Sequence, residues 1–173
     1  KHPPAPASAG PMAATAMKTT LELSDDCKAK FFELKTRRKH RWIIMSVDER
    51  ALRIDLEAVG DRSSTLRKLT DALPTAACRF AVFDHDYSRP DGRPASKLLL
   101  VCWVPATSKP ASRMFYTSQK ATVGAFFTGI EPLTAHSAAD LEAATADGTA
   151  APAAAGGGSD EDDDDPFADD EEF

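Results

Sequence analysis

Six consecutive apolar residues, Leu98 to Trp103 (LLLVCW), narrow the fold more than any other stretch. Side chains along a strand alternate between two faces, so a run apolar at both parities has to be covered on both sides. Such a strand belongs inside a sheet with layers packed above and below it, and the sequence around it supplies candidates for both layers.

Upstream, Ser24 is placed to cap a helix running to about Arg38, with Asp25 and Asp26 in its first turn and Cys27, Phe31 and Leu34 on its buried side. Lys35, Arg37, Arg38, Lys39 and Arg41 crowd the end of that helix. They suit its C-terminal dipole, and they also form the kind of basic run read as an anion patch or nuclear import signal. Trp42 to Val47 is a β-rich run, Asp48 to Ala51 a turn, and Leu52, Ile54 and Leu56 alternate with Arg53 and Asp55, which together predict a hairpin. Gly60 is expected to break the chain. A short helix follows from about Thr65, carried by Leu66, Leu69 and Leu73 and stopped by Pro74. Cys78 to Phe83 reads as a strand with Cys78, Phe80 and Val82 on one face, ending in Asp84, His85 and Asp86. Two carboxylates around one imidazole fall short of the ligand count of a metal site, so no metal is expected there.

Asp91 and Gly92 mark a turn, and Arg93 to Lys97 is expected to project as a basic loop before the central strand. Beyond Trp103, the spacing predicts a long helix with Ser108 as N-cap and Pro110 in its first turn, ending at Gly129. Phe115, Ser118, Thr122 and Phe126 recur at three and four residues and are expected to face the sheet. Lys109, Ser112, Arg113 and Lys120 then share the exposed remainder, with Met114 at its edge. Ile130 to Thr134 reads as a last short strand, and Ser137 to Ala146 as a helix whose start carries Ser137 and Asp140 at capping-box spacing. The order predicts an α/β fold of mixed α+β character, with a central mixed sheet flanked by helices on both faces.

Charge is segregated. All 21 Lys and Arg lie at or before Lys120, against 13 Asp and Glu there, a surplus of eight; the other 14 acidic residues lie beyond it, ten of them between Asp160 and Glu172. Residues 1–18 are Ala/Pro-rich and lack the apolar segment of a secretory signal, so they read as a flexible arm. Residues 19–147 hold the large side chains and form the expected domain. Residues 148–173 read as a linker and acidic tail containing Phe167 and Phe173. Cys27, Cys78 and Cys102, widely spaced in apolar contexts, read as three reduced core thiols. There is no phosphate-binding glycine loop, nucleophile elbow or paired ligand set, so neither an enzyme nor a cofactor is expected. Aromatic residues are not interleaved with the exposed cations, which argues against nucleic acid.

Three ordered stretches resemble the actin-depolymerising factor/cofilin family: Asp25 to Trp42 (DDCKAKFFELKTRRKHRW), Ala72 to Asp86 (ALPTAACRFAVFDHD) and Ser96 to Lys120 (SKLLLVCWVPATSKPASRMFYTSQK). The resemblance implies a sheet of five or six strands and a monomeric, cytoplasmic, cytoskeleton-associated protein that is not an enzyme. Such a protein binds monomeric actin, preferably with ADP, and binds, severs and depolymerises filaments. It implies a monomer-type site at Thr19, Thr20 and Leu21 with Ser112, Arg113 and Met114. Lys109 compensates there for Ala111, which stands where the family has a basic residue. It further implies a filament-type site at Arg93 and Lys97, phosphoinositide binding by basic clusters, and a regulatory phosphate at Thr19. No basic residue lies between Ala138 and Ala146, so severing is expected to be weaker than monomer binding. The acidic tail reads as a disordered, solubilising segment, with transient folding back on the basic, actin-facing surface as the functional alternative.

Overall fold

A computed structural model describes residues 20–146. The expected arm, Thr19 and the acidic tail lie outside the described residues. The order is β1 (Glu22–Leu23), α1 (Asp25–Lys35), β2 (His40–Asp48), β3 (Arg53–Asp61), α2 (Leu66–Ala72), β4 (Arg79–Ser88), β5 (Pro94–Trp103), α3 (Pro110–Phe126), β6 (Ile130–Ala135) and α4 (Ala138–Ala146). The strands form one sheet in the order β1-β3-β2-β4-β5-β6. The two edge pairs, β1–β3 and β5–β6, are parallel and the interior pairs antiparallel, giving the expected mixed sheet.

The alternation of β5 builds the layers. Leu98, Leu100 and Cys102 point into one core with Cys27 and Leu34 of α1 and Tyr116 and Val123 of α3. Leu99, Val101 and Trp103 point into the other, with Leu69 of α2 and Leu141 of α4. Each apolar parity of LLLVCW therefore meets its own pair of helices. All three cysteines are free and buried, and burial pushes the Cys102 thiol up to about 12, which keeps it protonated and inert.

Local chemistry fixes the element ends. Ser24 Oγ accepts from the Cys27 amide at 3.4 Å as the N-cap of α1. That helix stops at Lys35 rather than Arg38, because Thr36 caps it and Arg38 turns into the left-handed region (φ 50°). At α4 the capping box forms: Asp140 Oδ2 accepts from the Ser137 amide at 3.1 Å, and Ser137 Oγ accepts from the Asp140 amide at 3.3 Å.

Three expectations change. Gly60 does not break the chain; it pairs with Trp42 inside the β2–β3 ladder. A Cβ there would fall inside the Trp42 indole, so glycine is required by close approach and not by a turn. The segment Pro94 to Lys97 is not a projecting loop, since β4 and β5 pair without interruption from Arg79↔Trp103 to Ser88↔Pro94. Finally, α3 is rotated from its expected orientation. Its buried residues are Tyr116 and Val123, while Ser118, Thr122 and Phe126 are exposed and Phe115 is half-buried against Tyr116. The Tyr116 hydroxyl accepts from the Val47 amide of β2 at 3.0 Å, a polar tether that apolar spacing does not register.

Candidate actin-facing surface

The turn into α3 is stitched to the segment before β4. Trp103 Nε1 donates to Pro74 O at 2.7 Å, and Thr107 Oγ1 donates to Thr75 O. Ser108 is buried. Its hydroxyl donates to Pro105 O at 2.6 Å and accepts from Cys78 Sγ at 3.3 Å, so it holds the turn together and does not cap the helix. The N-cap is Lys109, with extended backbone and no side-chain cap bond, and Pro110 follows in the first turn.

This anchoring sets what α3 presents. Met114 is 76% exposed, and the exposed face continues through Thr117, Ser118, Ala121, Thr122 and Ala125 to Phe126, which is 39% exposed. The face is small and uncharged, with an apolar side chain near each end. Lys109 is exposed at the start of the helix and Arg113 half-buried beside Met114. Lys120 does not share this surface, since its Nζ donates to Thr134 Oγ1 of β6 at 2.9 Å. Ser112 donates to Glu49 Oε1 of the β2–β3 turn at 3.3 Å and borders a pocket with Lys109, Arg79 and Tyr116. Burial pushes the Tyr116 phenol up, so it stays protonated against Val47.

The N-terminal residues meet the other end of the ridge. Thr20 is exposed, whereas Leu21 is 4% exposed and belongs to the core, so it anchors the segment and offers no contact surface of its own. Both line a groove with Arg53, Lys28 and Phe126. A 17-residue helix is about 25 Å long. Thr20 and Leu21 thus border α3 near its C-terminal end, and Lys109, Ser112, Arg113 and Met114 mark its N-terminal end.

The two residues of the expected filament-type site differ from each other. Arg93 is exposed at the β4–β5 turn, 3.7 Å from Asp91. Lys97 has a side chain only 13% exposed; it pairs with Glu131 of β6 at 3.2 Å and lies over the Tyr87 ring. It is a cross-strand fastening and not a projecting cation.

Asp84 and Asp86 serve a purpose that their sequence context does not disclose. Asp84 is 3% exposed, and its carboxylate accepts from Arg62 and from Arg38 at 3.1 Å. Asp86 accepts from Arg41, from Arg38 at 2.9 Å and from Arg62 at 3.2 Å. Partial burial acts to raise the Asp86 pKa, but the Arg41 hydrogen bond and the charges of Arg41, Arg62 and Arg38 outweigh it and hold the carboxyl below its usual range. Three guanidiniums from the α1 end, β2 and the β3–α2 link converge there. The cluster is an ionic clasp, and among the described residues no group of acids, His and Cys could hold a metal ion. Burial lowers the pKa of His85 between them, with the Lys97 charge adding to the effect; its ring stacks between Phe83 and Tyr87.

Comparison with known proteins decides the family. The sequence profile described as cofilin/tropomyosin-type actin-binding protein matches residues 20–148, three quarters of the chain. The chain belongs to that family. This cofilin-family chain is 40% identical over 100 residues to actin-depolymerizing factor 3 of Arabidopsis thaliana, covering 58% of this chain and 72% of that protein. It is 34% identical over 109 residues to actin-depolymerizing factor 4 of Oryza sativa subsp. japonica, covering 63% and 78%. Among solved structures it superposes on Streptomyces griseoflavus cofilin with a TM-score of 0.61 at 28% identity, covering 69% of this chain and 88% of that one. The superposition on Plasmodium berghei actin depolymerization factor 2 gives 0.63 at 20% identity, covering 75% and 98%, and speaks for the shared fold. The six-stranded mixed sheet with four helices is the architecture of this cofilin-family chain and its neighbours.

Proposed function

We propose that this chain binds actin monomers, preferably carrying ADP, and actin filaments, and that it promotes filament depolymerisation with comparatively weak severing. It acts by binding and not by catalysis, as a monomer, in the cytoplasmic actin cytoskeleton. The observation that carries this reading is the exposed face of α3: a flexible Met114 surrounded by small uncharged residues, with Lys109 and Arg113 at its border. A thioether on a flat helical face adapts to a partner's cleft, and flanking cations steer it toward an acidic partner. Ser112, Thr20 and Phe126 extend the contact along the ridge, with Leu21 fixing the segment that bears Thr20. Arg93 supplies a filament contact, and Lys97 does so only if its pair with Glu131 opens.

Four further readings accompany this one. A phosphate on Thr19 would place about two negative charges beside the segment that faces acidic actin and weaken binding. Exposed basic residues would bind phosphoinositide head groups in competition with actin. A nuclear import role for the basic run at the end of α1 would fall to Arg37 and Lys39, because Arg38 and Arg41 are engaged with Asp84 and Asp86. The acidic tail tunes the domain from within by folding back on its cations.

The test is cosedimentation and pyrene-actin depolymerisation with the full chain, Met114→Ala and Arg113→Ala. Each substitution is expected to weaken monomer binding about tenfold, in the range of an interface hot spot, without changing the thermal unfolding midpoint. A folded full chain that ignores both monomer and filament at physiological salt overturns the reading.

A further inference from the structure

We infer that the acidic tail of this chain docks on the C-terminal end of α1, on a patch made by Phe32, Lys35, Arg37 and Lys39, and not on the exposed face of α3. The inference rests on the reading of the tail as an internal modulator and names its seat. Phe32 is 53% exposed, one of three large apolar side chains left open among the described residues, and Arg37 stands 5.9 Å from its ring centroid. Arg37 and Lys39 are exposed and form no ion pair among the described residues, and the Lys39 charge adds to the Lys30 and His40 hydrogen bonds in holding the Glu33 carboxyl low. Lys35 is also exposed; among the described residues its Nζ donates to the Thr128 carbonyl at 2.6 Å and lies 6.0 Å from the Phe31 ring centroid.

The carboxylates facing this patch are already engaged. Glu33 is held by Lys30 and His40, both at 2.8 Å, Asp84 and Asp86 by the three arginines, and Glu131 by Lys97. Three cations within five residues therefore stand outside any ion pair among the described residues, around an open aromatic ring. The α3 face is the poorer seat. Its exposed stripe is uncharged, and of its two bordering cations Lys109 shares a pocket with Glu49.

The occupant is argued from the chain itself. Residues 160–173 hold ten acidic side chains and two phenylalanines, Phe167 and Phe173, a composition complementary to a cationic patch with an apolar centre. Thirteen residues, 147–159, separate the end of α4 from Asp160, and a chain of that length can span at most roughly 45 Å. A domain of 127 residues has a radius of gyration of about 14 Å, so a tether of that reach can carry the tail round to the α1 end, on the opposite face of the sheet from α4.

The experiment compares amide NMR spectra of three full-length chains: the natural sequence, a variant with Asp160, Asp162, Asp163, Asp164 and Asp165 each changed to Asn, and Arg37→Glu with Lys39→Glu. Spectra are taken at about 50 mM and about 0.5 M salt, where the Debye length falls to a few ångströms. The expected result is a set of shifts at residues 31–39 in the natural chain that falls by more than about half in high salt and in both variants, independent of protein concentration. Shifts centred on α3 instead would overturn the seat while leaving the modulatory reading standing. No tail-dependent shift at all would overturn both. Shifts that vanish on dilution would assign the patch to the tail of a second copy and overturn the intramolecular contact. Actin cosedimentation of the same three proteins reports separately on the proposed function, since none of the substitutions touches α3.

Discussion

At the scale of single residues, two contacts carry constraints that composition alone would not suggest. Asp84 is nearly inaccessible to solvent, and its carboxylate is met by the guanidiniums of Arg38 and Arg62, the pairing that a buried acidic side chain requires. Gly60 is the second. It lies in β3 opposite Trp42, whose indole occupies the space where any Cβ would go, while the same indole closes the α2 side of the sheet with Leu69 and Leu73. Gly60→Ala therefore has to displace a large ring from a packed core. The expected cost is about 1 to 3 kcal/mol, the usual range for overpacking, read as a lower denaturation midpoint with unchanged slope in urea. A neutral substitution would mean that Trp42 has room to swing aside. The contrast with the ordinary role of glycine is instructive, because no positive φ is involved at Gly60, unlike Gly92 and Gly129.

At the scale of elements, α3 has two duties that share no side chains: Tyr116 and Val123 face the core, while Met114 and the small residues behind it face outward. The Tyr116 hydroxyl fastens the helix to β2 through the Val47 amide, and its ring stacks on Phe80 at 5.0 Å between centroids. Tyr116→Phe keeps the stacking and leaves the Val47 N–H without its acceptor, so an expected loss of about 1 to 2 kcal/mol follows, seen in chemical denaturation. Actin affinity per folded molecule should stay within about twofold, because a hydroxyl that faces the core does not contribute to an outer-face contact. A large loss of affinity with intact stability would show that the outer face depends on this tether. Sequence reading located α3 and the exposure of Met114 and Lys109, but it placed the N-cap at Ser108 instead of Lys109, ran the helix to Thr128 instead of Phe126 and chose the wrong inner stripe, since apolar periodicity weighs Phe115 above a tyrosine whose value lies in its hydroxyl. Other gaps have the same origin in long-range geometry. The two-residue β1 has no local period to detect and exists through parallel pairing with Arg53 and Ile54. Lys97 looked like a loop cation because its partner Glu131 is 34 residues away on a neighbouring strand. The arginines that meet Asp84 and Asp86 come from three separate elements. By contrast, LLLVCW was legible as a two-sided strand because its information is local and its parity allows one solution.

For the whole molecule, the distribution of charge bears on which form of actin is favoured. The ridge of α3 carries its two cations at one end, which suits a compact contact with a single subunit. A filament contact needs cations at a second location, and there the chain is poorly supplied: Lys97 is tied to Glu131, Arg93 lies near Asp91, and α4 exposes Glu142 with no basic residue along its length. Filament binding should consequently be the weaker of the two activities, and it should be improvable without touching α3. Glu142→Lys replaces a repulsive charge with an attractive one at an exposed site, a change worth about 0.2 to 1 kcal/mol for each unit of charge. The expected outcome is a gain of about two- to thirtyfold in filament cosedimentation at low salt that shrinks as salt is raised, with monomer affinity unchanged. Since Glu142 projects from α4 into solvent while Leu141 and Ala144 hold the helix to the core, the fold should not register the substitution. Filament affinity that is already as tight as monomer affinity in the natural chain, or that Glu142→Lys leaves unmoved, would place the filament contact on some other surface and remove charge scarcity as the ground for proposing weak severing.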